Sequence, residues 1–194
     1  APHQIVIVPI FRNDEERAKV MPVVARLQQE LGASFRVKVD DRTEVTPGFK
    51  FNDWEMRGVP VRLEVGPKDV EKGSVMAARR DKPGREGKTI LSQEQIVGQL
   101  AELLTDIHAS LYERAEAFRD QNTHHPKDYA EFKEVVQNGW ALSWWCGNPE
   151  CESHIKEDTK ATTRCIPLDQ SEGSGRCIYC GEPAREKAYF ARAY

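Results

Sequence analysis

Four cysteines constrain this chain more than any other feature of its sequence. They form two short pairs, C-x4-C (Cys146, Cys151) and C-x2-C (Cys177, Cys180), with 25 residues between the pairs. Gly147 and Pro149 lie inside the first pair and Gly181 follows the second, so each pair sits in a chain reversal. Two turns that each present two thiolates meet the demand of a closed tetrahedral Zn2+ site, whose Zn–S bonds of about 2.3 Å need both sulfurs of a pair on one side. Ordinary buried thiols or a disulfide are the competing readings, and the paired spacing with turn residues favours the metal. Four sulfur ligands leave no open coordination position, so the expected ion is a structural staple for the last quarter of the chain rather than a catalytic one. Cys165, in the extended-looking run Thr162–Leu168, has no pairing partner and is expected to be a small buried apolar residue.

The chain has 194 residues, 39% hydrophobic and 30% charged, enough for one large domain or two small ones with a well-solvated surface. It contains no apolar run long enough for a membrane-spanning helix. Ala1-Pro2-His3-Gln4 carries neither the basic nor the apolar part of a secretory signal. Together with metal-type cysteine spacing this points to a reducing, cytoplasmic setting. The abrupt start, without Met and almost at once in a strand, suggests a piece of a longer chain. Net charge is −3, which does not advertise a nucleic-acid binder. Between Pro67 and Lys88, however, seven bases face four acids, and a local basic surface on an acidic body attracts phosphate.

Along the chain, Gln4–Ile10 is a near-continuous β-branched run, the pattern of a strand buried on both faces. Asn13 with Glu16 forms a capping-box pattern, Val20, Val24, Leu27 and Leu31 follow at helical spacing, and Gly32 ends the stretch. Pro22 falls in that helix and predicts a kink or restart. Phe35–Val39 alternates as a second strand, so the chain opens β-α-β with a parallel pair. No glycine-rich phosphate cradle follows the first strand, which excludes a dinucleotide or nucleoside-triphosphate site of those types. Thr46–Gly58 reads as a short helix whose Phe49, Phe51 and Trp54 either pack or stack on unpaired bases. Val59–Val65 alternates as a strand, Gly66–Asp69 reads as a turn, and Ser74–Arg80 and Lys88–Leu91 as a hairpin. Ser92 and Gln95 predict a second capping box, after which Ile96, Leu100, Leu104, Ile107, Leu111, Ala115 and Phe118 trace one stripe of a long helix. The break at Asn122–Pro126 marks the expected boundary between domains at 1–122 and 123–194. His124 and His125, in that polar loop, are expected to be solvent-exposed. Tyr129, Phe132, Val135 and Val136 predict a short helix, and Trp140, Trp144 and Trp145 gather beside the first cysteine pair.

The run Gly58–Asp69 resembles the anticodon-binding domain shared by a subgroup of class II aminoacyl-tRNA synthetases. The blocks Trp145-Cys146-Gly147, Ile155-Lys156-Glu157, Thr163–Leu168, Cys177–Gly181 and Tyr189–Tyr194 are similar to prolyl-tRNA synthetases of the archaeal and eukaryotic type, and the likeness covers essentially the whole chain. That resemblance implies an α/β fold: an anticodon-binding domain with a mixed five-stranded sheet and flanking helices, then a small α/β zinc-binding domain. It also implies a partner tRNA for proline, an upstream catalytic domain holding ATP and Mg2+, and a homodimer formed through that domain. Nothing here matches the class-defining catalytic motifs, so the chain is expected to be the carboxy-terminal portion and not catalytic alone. In such families the last tyrosine, here Tyr194, turns its carboxylate toward the active site. Anticodons of proline tRNAs share two guanines, whose O6 and N7 favour Arg or Lys and whose N1–H and N2–H2 favour a carboxylate. The segment Gly66–Arg80 offers both kinds. Lys72, Glu71 and Lys88 are the expected base contacts, with Asp69, Arg79 and Arg80 beside them and Phe49 and Phe51 as stacking surfaces. A stand-alone RNA-binding or zinc-ribbon module remains the alternative, and a hydrolase using Cys165 and His154 is the weakest reading.

Overall fold

The structure is a computed structural model that describes residues 1–170 and 173–193. Its contacts divide the chain into two compact units, Ala1–Glu113 and Arg114–Tyr194. Among the described residues no helix is long and apolar enough to cross a membrane.

In the first unit, β1 (Ile5–Pro9) is buried along its whole length, as its unbroken apolar run requires. α1 (Asp14–Gly32) begins where Asn13 Oδ1 accepts the Glu16 N–H at 2.8 Å. Glu16 returns its carboxylate to the N–H of Arg12, one residue earlier than a standard capping box. The helix runs through Pro22 without interruption. Val20, Val24, Leu27 and Leu31 are fully buried, and four such side chains at about 1.5–3 kcal/mol each outweigh the roughly 3 kcal/mol that an interior proline costs. β2 (Val37–Val39) follows, shorter than its sequence pattern suggests. Next come α2 (Pro47–Met56), capped by Thr46 and closed at Gly58 (φ +78°), and β3 (Val61–Val65). The expected turn after β3 is a helical turn, α3 (Pro67–Glu71), because Asp69 Oδ2 accepts the Gly66 N–H at 2.9 Å and Pro67 is preset for a first helical position. β4 (Ser74–Arg79), β5 (Lys88–Ser92) and the long α4 (Ile96–Asn122) complete the elements. At its start Ser92 donates its N–H to Gln99 Oε1 at 2.9 Å, in place of the predicted box with Gln95.

The sheet order is β2-β1-β3-β4-β5, with β1 parallel to β2 and β3 and the remaining pairs antiparallel. One face, with Ile5, Ile7, Val61, Leu63, Val75 and Ala77, packs on α1 and on Ile96, Leu100 and Ile107 of α4. On the other face Val6 and Val8 of β1 meet Trp54 of α2 and Val59. The same face carries Arg62 and Glu64 of β3, both buried, and the more exposed Lys88 of β5.

The second unit carries a four-stranded sheet in the order β6-β7-β11-β8. Its elements are β6 (Thr123–His124), α5 (Tyr129–Val135), β7 (Trp140–Trp145), α6 (Pro149–Thr159), β8 (Ala161–Cys165) and β11 (Glu186–Arg192), with a small hairpin of β9 (Gly175–Arg176) and β10 (Pro183–Ala184). Ala141, Ala161, Ala188 and Phe190 of the sheet pack on Phe132 and Val136 at α5 and Ile155 of α6. Small residues on the strands let Phe132 and Phe190 meet edge-to-face with centroids 5.4 Å apart.

Candidate metal centre and nucleic-acid interface

β7 ends at Trp145 and delivers Cys146 directly into the turn at Gly147 (φ +79°), a left-handed conformation that favours glycine. Asn148 then caps α6, whose first turn holds Cys151. Cys177 and Cys180 occupy the loop of the β9–β10 hairpin, where the Cys177 N–H bonds to Glu182 O at 2.8 Å and the Gly181 N–H to Cys177 O at 2.9 Å. The Ile178 N–H donates to Trp144 O at 3.0 Å and so ties the second turn to the strand that carries the first.

The four sulfurs lie within 4.8 Å of one another. Cys146 Sγ is 3.6 Å from Cys151 Sγ and 3.8 Å from Cys180 Sγ. A tetrahedron with Zn–S bonds of about 2.3 Å has edges of about 3.8 Å. These separations fit a tetrathiolate ion and far exceed the roughly 2.05 Å of a disulfide. Burial pushes the Cys151 and Cys146 thiols up. Burial also acts to raise Cys177, but the backbone N–H groups of Cys180, Tyr179 and Cys146 outweigh it and bring that thiol to about 7. The same N–H groups favour a metal-bound thiolate.

Aromatic side chains tie this centre to the helices. Tyr179, between the last two cysteines, meets Tyr129 edge-on at 5.2 Å and stacks with His154 at 5.4 Å. Trp145 joins the core beside Phe190, and Trp144 lies against Gly175, where an added Cβ would fall 2.3 Å from the indole. Trp140, at the far end of β7, does not belong to the surroundings of the metal. Cys165 is exposed rather than buried, because it ends β8 opposite a register shift in β11. Its groove is lined by arginines and aromatic residues, whereas His154 faces Tyr179 and Glu157, so the residues of the hydrolase reading have different neighbours. His124 and His125 are exposed, as expected.

On the face of the first unit's sheet that meets α2, Arg62, Ala78 and Lys88 are cross-strand neighbours on β3, β4 and β5. Glu64 Oε1 accepts from Arg62 Nη2 at 3.0 Å and Nε at 3.2 Å, and Lys88 Nζ reaches the same carboxylate at 3.1 and 3.2 Å. Arg62 Nη1 donates to Glu55 Oε1 at 2.7 Å, and the Phe51 ring lies 3.9 Å from the guanidinium carbon. The result is a chain of alternating charge, Glu55–Arg62–Glu64–Lys88, held rigid against an aromatic ring and bordered by the exposed Ile90 and Arg80. Its exposed ends, Lys88 and Glu55, offer an ammonium donor and a carboxylate acceptor to the edge of an unpaired base, while the buried Arg62 and Glu64 brace them.

Of the residues singled out in the sequence, Lys88 and Phe51 join this cluster, and Arg80 borders it with its Nε bonded to Glu55 O at 3.0 Å. Arg79 points the other way, bound to Asp81 at 2.7 Å and to Asp106 of α4. Asp69 is engaged as the cap of α3. Glu71 and Lys72 are exposed near the Ser74 end of β4, about 13 Å along the strand from Ala78. Phe49 is 54% exposed, with Arg42 5.9 Å from its ring centroid. Tyr194 lies outside the described residues. Sequence reasoning missed Glu55, Arg62 and Glu64. The spacing of Arg62 and Glu64 places both on one strand face, but only strand pairing joins them to Lys88.

Comparison with known proteins gives two family matches. The family described as "Anticodon binding domain" matches residues 4–103, and "Prolyl-tRNA synthetase, C-terminal" matches residues 129–194. "Proline--tRNA ligase" of Roseiflexus castenholzii is 54% identical over all 194 residues, which span 40% of that protein. The Chloroflexus aurantiacus protein of the same name is 46% identical over the same share. "Proline--tRNA ligase, chloroplastic/mitochondrial" of Arabidopsis thaliana is 42% identical over all of this chain and 37% of its own length. The chain thus spans about two fifths of the length of the curated relatives it matches. Through a match that takes in more than half of its residues it belongs to the anticodon-binding domain family, and over its full length it corresponds to the C-terminal portion of proline–tRNA ligases.

Proposed function

We propose that this chain is the tRNA-reading part of a proline–tRNA ligase, recognising the anticodon of proline tRNA for a catalytic domain that uses ATP and Mg2+ elsewhere in the whole enzyme. The observation that carries the reading is the Glu55–Arg62–Glu64–Lys88 chain, its Arg62 lying over Phe51 and its Glu55 and Lys88 ends exposed. Guanine edges are met by Lys88 at O6 and N7 and by Glu55 at N1–H and N2–H2, both held in place by the buried Arg62 and Glu64, while Phe51 supports a base face. Arg80 and the more distant Lys72 and Glu71 extend the contact along the hairpin, and Phe49 offers a second ring at its rim. In this reading the whole enzyme works in the cytoplasm as a homodimer joined through its catalytic domain.

Cys146, Cys151, Cys177 and Cys180 hold the metal in this reading, and a tetrathiolate with no open position favours structural Zn2+. The ion supplies a cross-link between the β7–α6 turn and the β9–β10 hairpin and no step of the reaction. A gel-shift titration with proline tRNA against the same tRNA carrying a swapped anticodon tests the first claim. Binding is expected to favour the native anticodon, with the preference lost in Lys88→Gln; equal affinity for both tRNAs overturns it. Metal analysis tests the second: about one Zn2+ per chain, retained in Cys165→Ser and lost in Cys177→Ser.

A further inference from the structure

The second unit has a groove that neither the metal centre nor the anticodon reading uses. It measures about 550 Å3 and is bounded by Arg119, Trp140, Arg164, Cys165, Tyr189 and Arg192 among others. A second hollow of about 250 Å3, bordered by Phe118, continues from it and shares Trp140, Ala191 and Arg192. The two together make an elongated track. Phe118 is 62% exposed and Trp140 39% exposed along it.

Its charge is one-sided. Arg164 donates Nε and Nη2 to Ala191 O at 3.1 and 2.9 Å, and Arg192 donates Nε to Thr159 O at 2.6 Å. Carbonyls fix the direction of both guanidinium groups without neutralising them, and among the described residues neither meets a carboxylate. Arg119 does pair, with Glu116 and Asp120. Six acids of this unit, Glu131, Glu134, Glu150, Glu152, Glu157 and Asp158, lie on α5 and α6, and none lines the groove. Aromatic rings alternating with fixed, uncompensated arginines along a groove suit one chemical class: bases stack on the rings and phosphates meet the guanidiniums.

We infer that this groove binds an unpaired stretch of RNA, a contact separate from the anticodon surface and independent of the residues that form it. An acidic peptide offers carboxylates to the arginines but nothing to fill the ring-lined floor.

The test uses the 194-residue chain and a fluorescein-labelled octauridylate, which lacks a proline anticodon. Fluorescence anisotropy should show binding weakened about tenfold in the double variant Arg164→Gln/Arg192→Gln. Two lost phosphate contacts should also reduce the slope of log K against log salt by about 1.4. Trp140→Leu should weaken binding without changing that slope, and Lys127→Gln, at an exposed position outside both surfaces, should leave affinity and slope unaltered. Because the arginines also brace backbone carbonyls, a second measurement uses the unmutated protein: the octamer should slow iodoacetamide alkylation of Cys165, followed by peptide mass spectrometry, about tenfold. Undiminished alkylation, equal protection by polyglutamate, or equal loss of affinity in Lys88→Gln would each overturn the inference. The last outcome would assign the RNA to the first unit. Failure of anticodon discrimination in the gel shift leaves these readouts untouched, so the two ideas fail separately.

Discussion

Replacing Glu64 by Gln keeps the size of the side chain and removes one charge from the centre of the Glu55–Arg62–Glu64–Lys88 chain. Its carboxylate is 11% exposed and accepts two bonds from an Arg62 side chain that is 9% exposed. A hydrogen bond to a charged group contributes about 1.5–3 kcal/mol, and part of that survives because the Gln oxygen still accepts. We therefore assign about 2 kcal/mol to the Arg62 side. The Lys88 ammonium is 38% exposed, and solvent screening holds its share below about 1 kcal/mol. A total loss of about 2–3 kcal/mol in a unit of this size lowers its melting temperature by roughly 8–15 °C. Calorimetry should show that shift in the transition of the first unit while the second unit keeps its own. At a temperature where the variant is folded, the gel shift should show weaker discrimination by about tenfold, equivalent to about 1.4 kcal/mol. Total affinity for RNA should not fall, since a repulsive charge has gone. Glu102→Gln, at an exposed position of α4 away from the cluster, is the control and should move neither quantity. An unchanged melting temperature together with intact discrimination would show that Glu64 neither organises the cluster nor reads a base.

Asp40 sets an acid limit on the first unit. Burial acts to raise its carboxyl, but bonds from Arg42 at 2.8 and 2.7 Å and from Trp54 Nε1 at 2.8 Å, with Lys50 nearby, hold it at about 2 instead of 3.8. A depressed carboxyl stabilises the fold above its unfolded value and loses that contribution as pH falls through the folded one. About 2 kcal/mol should therefore disappear between pH 4 and pH 2, and urea melts of Asp40→Asn should lack that slope. Gly175→Ala drives a Cβ into the Trp144 indole. Displacement of the β9–β10 hairpin should cost about 1–3 kcal/mol and weaken metal retention in a chelator competition, whereas Gly98→Ala, with open space around it, should do neither.

How much of this was legible in the residues differs between the two units. The cysteine spacing picked out the four residues whose sulfurs converge, because a tetrahedral ion needs two turns of that form and the turns are written in Gly147, Pro149 and Gly181. The strands and helices of the first unit follow from apolar periodicity, a local property. Cys165 misled because the residue type predicts burial, while a strand end opposite a register shift leaves it exposed. Trp140 misled because nearness in sequence to a strand end says nothing about which end of the strand meets the metal.

By itself the sequence determined which atoms can bind an ion, where the chain turns, and the kinship with the anticodon-binding family. Tertiary structure alone decided which charges act together. Lys88 and Arg79 look alike in a basic segment, yet strand alternation sends Arg79 toward Asp81 and Asp106 and Lys88 toward Glu64 on the opposite face. Arg62 and Glu64, unremarkable in an alternating strand, become the centre of the charged cluster only when β3 pairs with β4 and β4 with β5. The physical reason is range: turn chemistry and periodicity act over a few residues, whereas an electrostatic cluster forms between side chains that the sheet brings together from distant parts of the chain.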